Sequence, residues 1–177
     1  MKKFLWSVLG VGALLVSTQV AYTATDSQQF TVNVPKRVTI QAPTPTVAAT
    51  LPDSSATLAF PNQAWQVKGN VRNGVAVTFV VQQPFTNTTD NTYKRDAGLT
   101  VAVGSTLGPA TWTVAGTGSA QTNYAAAVPV NTATVSASSN RVGQAAFNIG
   151  VSFLTVDIAQ VLEGDYVTTV VGTVTEN

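Results

Sequence analysis

The chain has 177 residues, of which 45% are hydrophobic and only 10% are charged, and its formal net charge is +1. The apolar content is too high for a disordered polymer, and the charge gives no electrostatic basis for binding nucleic acid. Neither cysteine nor histidine is present, which excludes disulfides, thiol nucleophiles, serine–histidine–aspartate triads and the common zinc sites.

The N-terminus has the layout of a secretory signal peptide. Lys2 and Lys3 precede an apolar run over residues 4–16, and small residues follow as far as Ala24. The run is shorter than the ~20 residues that a membrane-spanning helix needs, although an uncleaved N-terminal anchor is the alternative. We therefore predict a leader at 1–24, a single domain at 25–177, no membrane span after cleavage, and a bacterial protein that is secreted or displayed on the cell surface.

The first half of the chain alternates apolar and polar residues with a period of two, which predicts strands rather than helices. Pro35 interrupts the first strand pattern, and three further prolines mark residues 41–55 as a loop. Asn73-Gly74 favours a tight hairpin turn, and the polar stretch 82–98 is expected to be a long surface loop. The strand candidates are 30–34, 37–40, 56–60, 64–70 and 75–81.

The second half continues in the same way, with the clearest alternation at 143–155, where Phe147 and Ile149 share one face. Residues 153–165 are expected to form one helical turn or a loop. About eight strands without intervening helices predict a single antiparallel β-sandwich, immunoglobulin-like or jelly-roll in style. The remaining strand candidates are 99–103, 110–116, 133–138 and 166–175.

Residues that could support catalysis or hold a metal are sparse. The chain has no phosphate-binding loop and no G-x-S-x-G motif, and most of its acidic residues fall in predicted loops. Asp90, Asn91 and Asp96 form the best calcium candidate, but they lack the D-x-D-x-D spacing. We therefore expect no enzyme activity, no cofactor and no metal.

Several aromatic side chains could stack on sugar rings. Trp65 and Trp112 lie in alternating strand patterns, which favours the core. Tyr93 lies in the 82–98 stretch and is the better candidate for contacting a surface glycan. The basic pair Lys94-Arg95 is isolated and reads as solvated charge, so we expect no nucleic-acid partner.

The last fourteen residues, "GDYVTTVVGTVTEN" (164–177), join a glycine to an apolar alternation that includes Tyr166, Val170 and Val174. This stretch resembles the C-terminal strand of chaperone-usher pilins. The resemblance implies a sandwich that lacks one strand and is completed by the N-terminal extension of a neighbouring subunit. Glu176 departs from that family, which usually has an aromatic at the penultimate position, and the cysteine pair common in the family is absent.

On this reading Phe30, Val32 and Val34 form a candidate donor strand hinged at Pro35. Head-to-tail donation is a heterologous contact and builds a homopolymeric filament, pilus or matrix. Two alternatives stay open. The terminal strand can lie inside a complete sandwich, or the protein can be a secreted binding module or adhesin that recognises a glycan or surface ligand through 82–98.

Overall fold

A computed structural model describes residues 23–53, 57–155 and 157–177, so nearly all of the predicted leader lies outside the described residues. The chain divides into two units, one ending at Val34 and the other spanning Pro35–Asn177. In the first unit, residues 23–34 are exposed and have no regular secondary structure. None of the helices in the described ranges is long and apolar enough to cross a membrane.

The regular secondary structure described in the second unit is almost wholly β. A single 3₁₀ turn, Ile158–Gln160, confirms the turn expected within 153–165. The described residues form twelve strands, more than the eight expected: β1 Val38–Gln41, β2 Leu58–Ala59, β3 Gln63–Gly69, β4 Val75–Val81, β5 Phe85–Asn87, β6 Lys94–Leu107, β7 Trp112–Val114, β8 Ser119–Gln121, β9 Ala133–Ser139, β10 Gly143–Leu154, β11 Tyr166–Val167 and β12 Val170–Glu176.

The strands form two antiparallel sheets, which confirms the predicted antiparallel β-sandwich. The larger sheet has the order β1-β3-β10-β6-β5-β11, with β2 added to β10 and β8 added to β6. The smaller sheet has the order β12-β4-β9-β7. Every pair of neighbouring strands runs antiparallel.

The core lies between the two sheets and is filled by the inward rows that the alternation predicts. Phe79 of β4 is fully buried, and its ring packs against Phe147 of β10 at 5.4 Å and edge-on against Trp65 at 5.8 Å between centroids. Trp112 is also buried and meets Phe147 at 5.5 Å. The expectation that Trp112 belongs to the core is therefore confirmed, whereas Trp65 is half-buried.

The predicted hairpin at Asn73-Gly74 is wrong, although the turn itself is present. Gly74 has φ +81°, but β3 and β4 on either side of it belong to different sheets. The turn docks against the β9–β10 connection, where a Cβ on Gly74 would lie 2.1 Å from the Ser139 carbonyl oxygen. The Val75 amide donates to Ser139 Oγ at 2.9 Å, so this contact turns the chain across the sandwich.

The expected surface loop at 82–98 is also wrong, because it contains β5 and the start of β6. Asn87 is 1% exposed and organises this hairpin through its side chain. Its Oδ1 accepts from the Thr89 and Asp90 amides at 2.8 and 3.0 Å, and its Nδ2 donates to the Glu163 carbonyl at 3.0 Å. Polar residues are buried here because their hydrogen bonds are satisfied.

The predicted terminal strand 166–175 is divided between the two sheets. Tyr166 lies on β11, which pairs with β5 in the larger sheet, and packs against Phe153 with ring centroids 5.3 Å apart. The chain then crosses at Thr168, whose Oγ1 donates to the Gln83 carbonyl at 2.5 Å. Val170 and Val174 follow on β12, in the smaller sheet.

Candidate assembly site

The last strand, β12, has one free edge. Among the described residues it pairs only with β4. Thr169 accepts from the Gln82 amide and Asn177 donates to the Gly74 carbonyl, so the odd-numbered residues of this stretch bond to β4. Successive residues of an antiparallel strand direct their backbone groups to opposite sides, and the even-numbered residues therefore face the free edge. These are Val170, Gly172, Val174 and Glu176.

Of these residues, Val170 and Val174 pack their side chains against the core, but the core covers them incompletely. Val170, Gly172 and Val174 are only half-buried. On the neighbouring strand β4, the inward residues from Val75 to Val81 are at most 1% exposed. The side chains of β12 are therefore less buried than those of β4, as expected for the edge strand of the smaller sheet.

The larger sheet ends beside β12 in a second free edge. Strand β1 pairs only with β3 within the described residues, and the Asn70 amide donates to the Arg37 carbonyl. By the same alternation Val38 and Ile40 direct their backbone groups away from β3. We call β1 and β12 together, with the Trp65 side chain between them, the open edge.

At Gly172 the backbone of β12 is closely approached by side chains of β1 and β3. A Cβ at this position would lie 2.7 Å from Ile40 Cδ1 and 2.7 Å from Trp65 Cζ3. Only glycine allows both side chains to rest against the β12 backbone. The two sheets therefore make direct contact at the middle of β12, and the half-buried valines lie on either side of this contact.

The candidate donor residues lie in the other unit of the chain. Phe30, Val32 and Val34 are 83%, 84% and 72% exposed, and the segment that carries them has no strand partner among the described residues. The sequence reasoning thus identified an apolar row that the described chain leaves uncovered. It did not identify Ile40, Trp65 or Gly172 as part of the open edge, since their positions depend on the sheet order.

Tyr93 lines an open cleft of about 500 Å³, together with Lys94, Tyr124 and residues 159–162. Tyr93 is 39% exposed. The Arg95 guanidinium forms one wall, where it donates to the Gln160 carbonyl, to the Lys94 carbonyl at 2.6 Å and to the Tyr124 hydroxyl at 3.3 Å. The Arg95 guanidinium therefore stabilises the wall of the cleft through hydrogen bonds, whereas the Tyr93 side chain is partly exposed to solvent.

The two carboxylates of the calcium candidate, Asp90 and Asp96, take part in separate hydrogen-bond networks. Asp96 Oδ1 accepts from Thr122 Oγ1 at 2.9 Å and from the Tyr124 amide at 2.8 Å. Asp90 Oδ1 accepts from Thr92 Oγ1 at 2.7 Å, and the hydrogen bonds from Thr92 lower the pKa of Asp90. Across the described ranges no group of three potential metal ligands comes together.

Comparison with protein-family models, with curated proteins and with solved structures finds no match for this chain.

Proposed function

We propose that this protein is an exported structural subunit that polymerises into a cell-surface filament, pilus or matrix. In this proposal residues 30–34 of one copy add as a strand to the free edge of β12 in the next copy. The observation that carries it is a match between two unsatisfied features. β12 has an unpaired backbone edge with a half-covered apolar row, and the segment at Phe30 to Val34 is a separate, exposed apolar row without a strand partner.

The two features have the same periodicity. Alternate residues of β12 offer backbone hydrogen bonds at the free edge and also point inward. A strand laid against that edge places alternate residues on the core side, which suits the spacing of Phe30, Val32 and Val34. Ladder hydrogen bonds then supply direction and register, while the apolar row supplies burial.

The apolar row supplies only part of the free energy that a stable joint needs. Burying a Phe and two Val side chains stabilises by about 5–9 kcal/mol gross, as an upper bound. Association costs about 4–15 kcal/mol of lost freedom and side-chain ordering, so the apolar row needs the ladder hydrogen bonds as well. Donation from each copy to the next is heterologous and propagates as an open filament.

The first test compares the mature chain with and without residues 25–35 by size exclusion and negative-stain microscopy. The full chain should form filaments and the truncated chain should remain small. Val32→Asp in the full chain should also stop filament growth, because it places a carboxylate in the apolar row. Asn33→Asp adds the same charge on the opposite face of the strand and should still polymerise. Folded monomers of the full chain at high concentration would refute the proposal.

The cleft at Tyr93 supports a second candidate function, a binding module for a surface glycan. The supporting observation is an exposed aromatic ring beside Lys94 in an open cleft, a combination that suits stacking on a sugar ring. Tyr93→Ala should abolish retention on a glycan array while the circular dichroism spectrum is unchanged. Equal retention of wild type and Tyr93→Ala would exclude this site.

A further inference from the structure

Thirteen of the fourteen charged side chains in Pro35–Asn177 fall into two groups at opposite ends of the strands, and Asp53, in the connection before β2, belongs to neither group. One end, the basic end, carries five cations and one carboxylate; these are Lys36, Arg37, Lys68, Arg72, Arg141 and Glu176. The other end, the acidic end, carries five carboxylates and two cations; these are Asp90, Lys94, Arg95, Asp96, Asp157, Glu163 and Asp165. The side-chain charge is therefore +4 at the basic end and −3 at the acidic end.

The pairing of strands and turns brings the cations together at the basic end. Val38 pairs with Gly69, so Arg37 and Lys68 lie at the same end of neighbouring strands. The turn that contains Arg72 packs against the turn that contains Arg141, because Gly74 lies directly against that backbone. Lys36 Nζ is 2.9 Å from Glu176 Oε2, so the one acidic side chain in this group of described residues is already paired.

The acidic end is defined by the opposite ends of the same strands. Asp96 at the start of β6 pairs with Leu154 at the end of β10. The Thr88 amide donates to the Asp165 carbonyl at 2.9 Å, which fixes the 163–165 segment beside the β5–β6 hairpin. Glu163 and Asp165 are exposed, so both carboxylates are available to a partner.

The two ends are far enough apart to act independently. Strand β6 runs from Asp96 at the acidic end to Leu107, which pairs with Gln144 at the basic end. At about 3.3 Å per residue this separation is roughly 36 Å. The Debye length at physiological ionic strength is about 8 Å, so the basic and acidic ends do not neutralise each other within one copy.

We propose that the basic end of one copy docks against the acidic end of the next, so that the head-to-tail contact is selected by charge. The occupant of each end is a second copy of this chain, because one molecule carries both complementary surfaces. This inference rests on the proposed strand donation and adds to it the direction in which the donor enters.

The direction follows from where the donor segment joins the sandwich. Val34 is followed by Pro35, whose carbonyl accepts from Asn70 Nδ2 at 2.8 Å, so the junction lies at the basic end. β12 runs from the acidic end, where Val170 pairs with Val81, to the basic end, where Glu176 pairs with Val75. If the donor runs antiparallel to β12, its last residue, Val34, lies at the acidic end of the accepting copy. The following residue, Pro35, belongs to the basic end of the donating copy. The acidic end of one copy is thereby brought against the basic end of the other.

A donor parallel to β12 would leave at the acceptor's basic end and bring two positively charged ends together. Charge therefore favours antiparallel insertion and disfavours the reversed joint. It should also accelerate growth, since complementary surface charge raises association rates by roughly 10–10³-fold at low salt.

The test uses charge reversals in the full mature chain and measures filament growth by light scattering at low and high salt. Arg72→Glu with Arg141→Glu lowers the side-chain charge of the basic end from +4 to 0, and Glu163→Lys with Asp165→Lys raises that of the acidic end from −3 to +1. Each double variant should grow at least tenfold more slowly than wild type at low salt. The quadruple variant has side-chain charges of 0 and +1 at its two ends, so it should grow faster than the Glu163→Lys with Asp165→Lys variant, whose ends repel, but still more slowly than wild type.

The control variant carries Thr134→Glu with Ser136→Glu on exposed positions of β9, which lie between the two ends and are separated by β4 from the free edge of β12. It shifts the net charge in the same direction as the arginine reversals and should leave the growth rate within about twofold, since its charges are not at a joint. Growth that is equally fast in all variants would overturn the charge-selected contact and leave strand donation standing.

A further experiment distinguishes the charged contact between the ends from donation of the N-terminal strand. The Val32→Asp chain, which should not donate its strand, should still show weak self-association in sedimentation equilibrium that salt and the arginine reversals remove. If wild type forms no filament but this weak association persists, strand donation fails and the charged contact stands. If Val32→Asp shows no salt-dependent association, or if the basic end binds a sulfated polysaccharide in preference to a second copy, the contact proposal is wrong.

Discussion

Val32→Ala gives the most direct measure of whether the apolar row of the N-terminal segment is buried on assembly. Val32 is 84% exposed in the isolated chain and lies between Phe30 and Val34 in the alternating sequence of residues 30–34. Replacing it with alanine leaves the fold of the sandwich untouched, because the segment belongs to a separate unit. Any effect on assembly therefore comes from the joint.

The expected size follows from the surface removed. Valine exceeds alanine by two methyl-sized groups, each worth about 0.8 kcal/mol when buried. The loss is then about 1.6 kcal/mol, which corresponds to roughly a 15-fold weaker joint. Asn33→Ala changes the opposite face of the proposed donor strand, where a surface substitution changes the free energy by at most about 0.5 kcal/mol. The affinity of this variant should therefore stay within about twofold to threefold of the wild-type affinity.

Fluorescence anisotropy with labelled peptides of residues 25–35 measures both values against the mature chain that lacks those residues. The acceptor should fold alone, since its buried core lies within residues 67–153. The reasoning is refuted if Asn33→Ala weakens binding as much as Val32→Ala. It is also refuted if a folded acceptor binds neither peptide.

Three further predictions concern the sandwich itself. Gly172→Ala should lower the free energy of unfolding by about 1–3 kcal/mol, because its Cβ meets the Trp65 ring at 2.7 Å; thermal unfolding should shift by about 2–4 °C per kcal/mol. Asn87→Ala leaves buried backbone groups unpaired and should cost about 1–3 kcal/mol in urea unfolding. Thr92→Val should raise the pKa of Asp90 toward its ordinary value of 3.8 in an NMR titration. Since the folded-state pKa is the lower one, the stabilisation from Asp90 is present above its ordinary value and is lost as the pH falls through the folded value.

Alternation along the chain was sufficient to predict which side chains fill the core. The inward rows of β4, β9 and β10 follow the period of two, and Phe147 and Ile149 are buried as the sequence predicts. Alternation assigns a residue to a face, but it carries no information about which strand lies beside it. The order of the strands, and hence the free edge of β12, could not be read from the pattern.

The wrong expectations share one cause, which is that local signals were read without their partners. The turn at Asn73-Gly74 has the positive φ expected of it at Gly74. The Val75 amide, however, donates to Ser139 Oγ, and β4 therefore continues in the other sheet and not beside β3. Residues 82–98 are polar, yet Asn87 is buried because three hydrogen bonds satisfy it. In each case a contact from a distant part of the sequence decides the outcome.

The composition of the free edge is consistent with the proposed strand donation. Sheets that end in solvent are commonly protected from unwanted pairing by inward charges, prolines or bulges. Between Val170 and Thr175, β12 contains no charged residue and no proline, and its pairing with β4 has no bulge. The first charge, Glu176, is at the end of the strand and is bound to Lys36. An edge of this composition in an isolated molecule would invite uncontrolled pairing, whereas an edge that receives a strand from the next copy must be kept free of such protection.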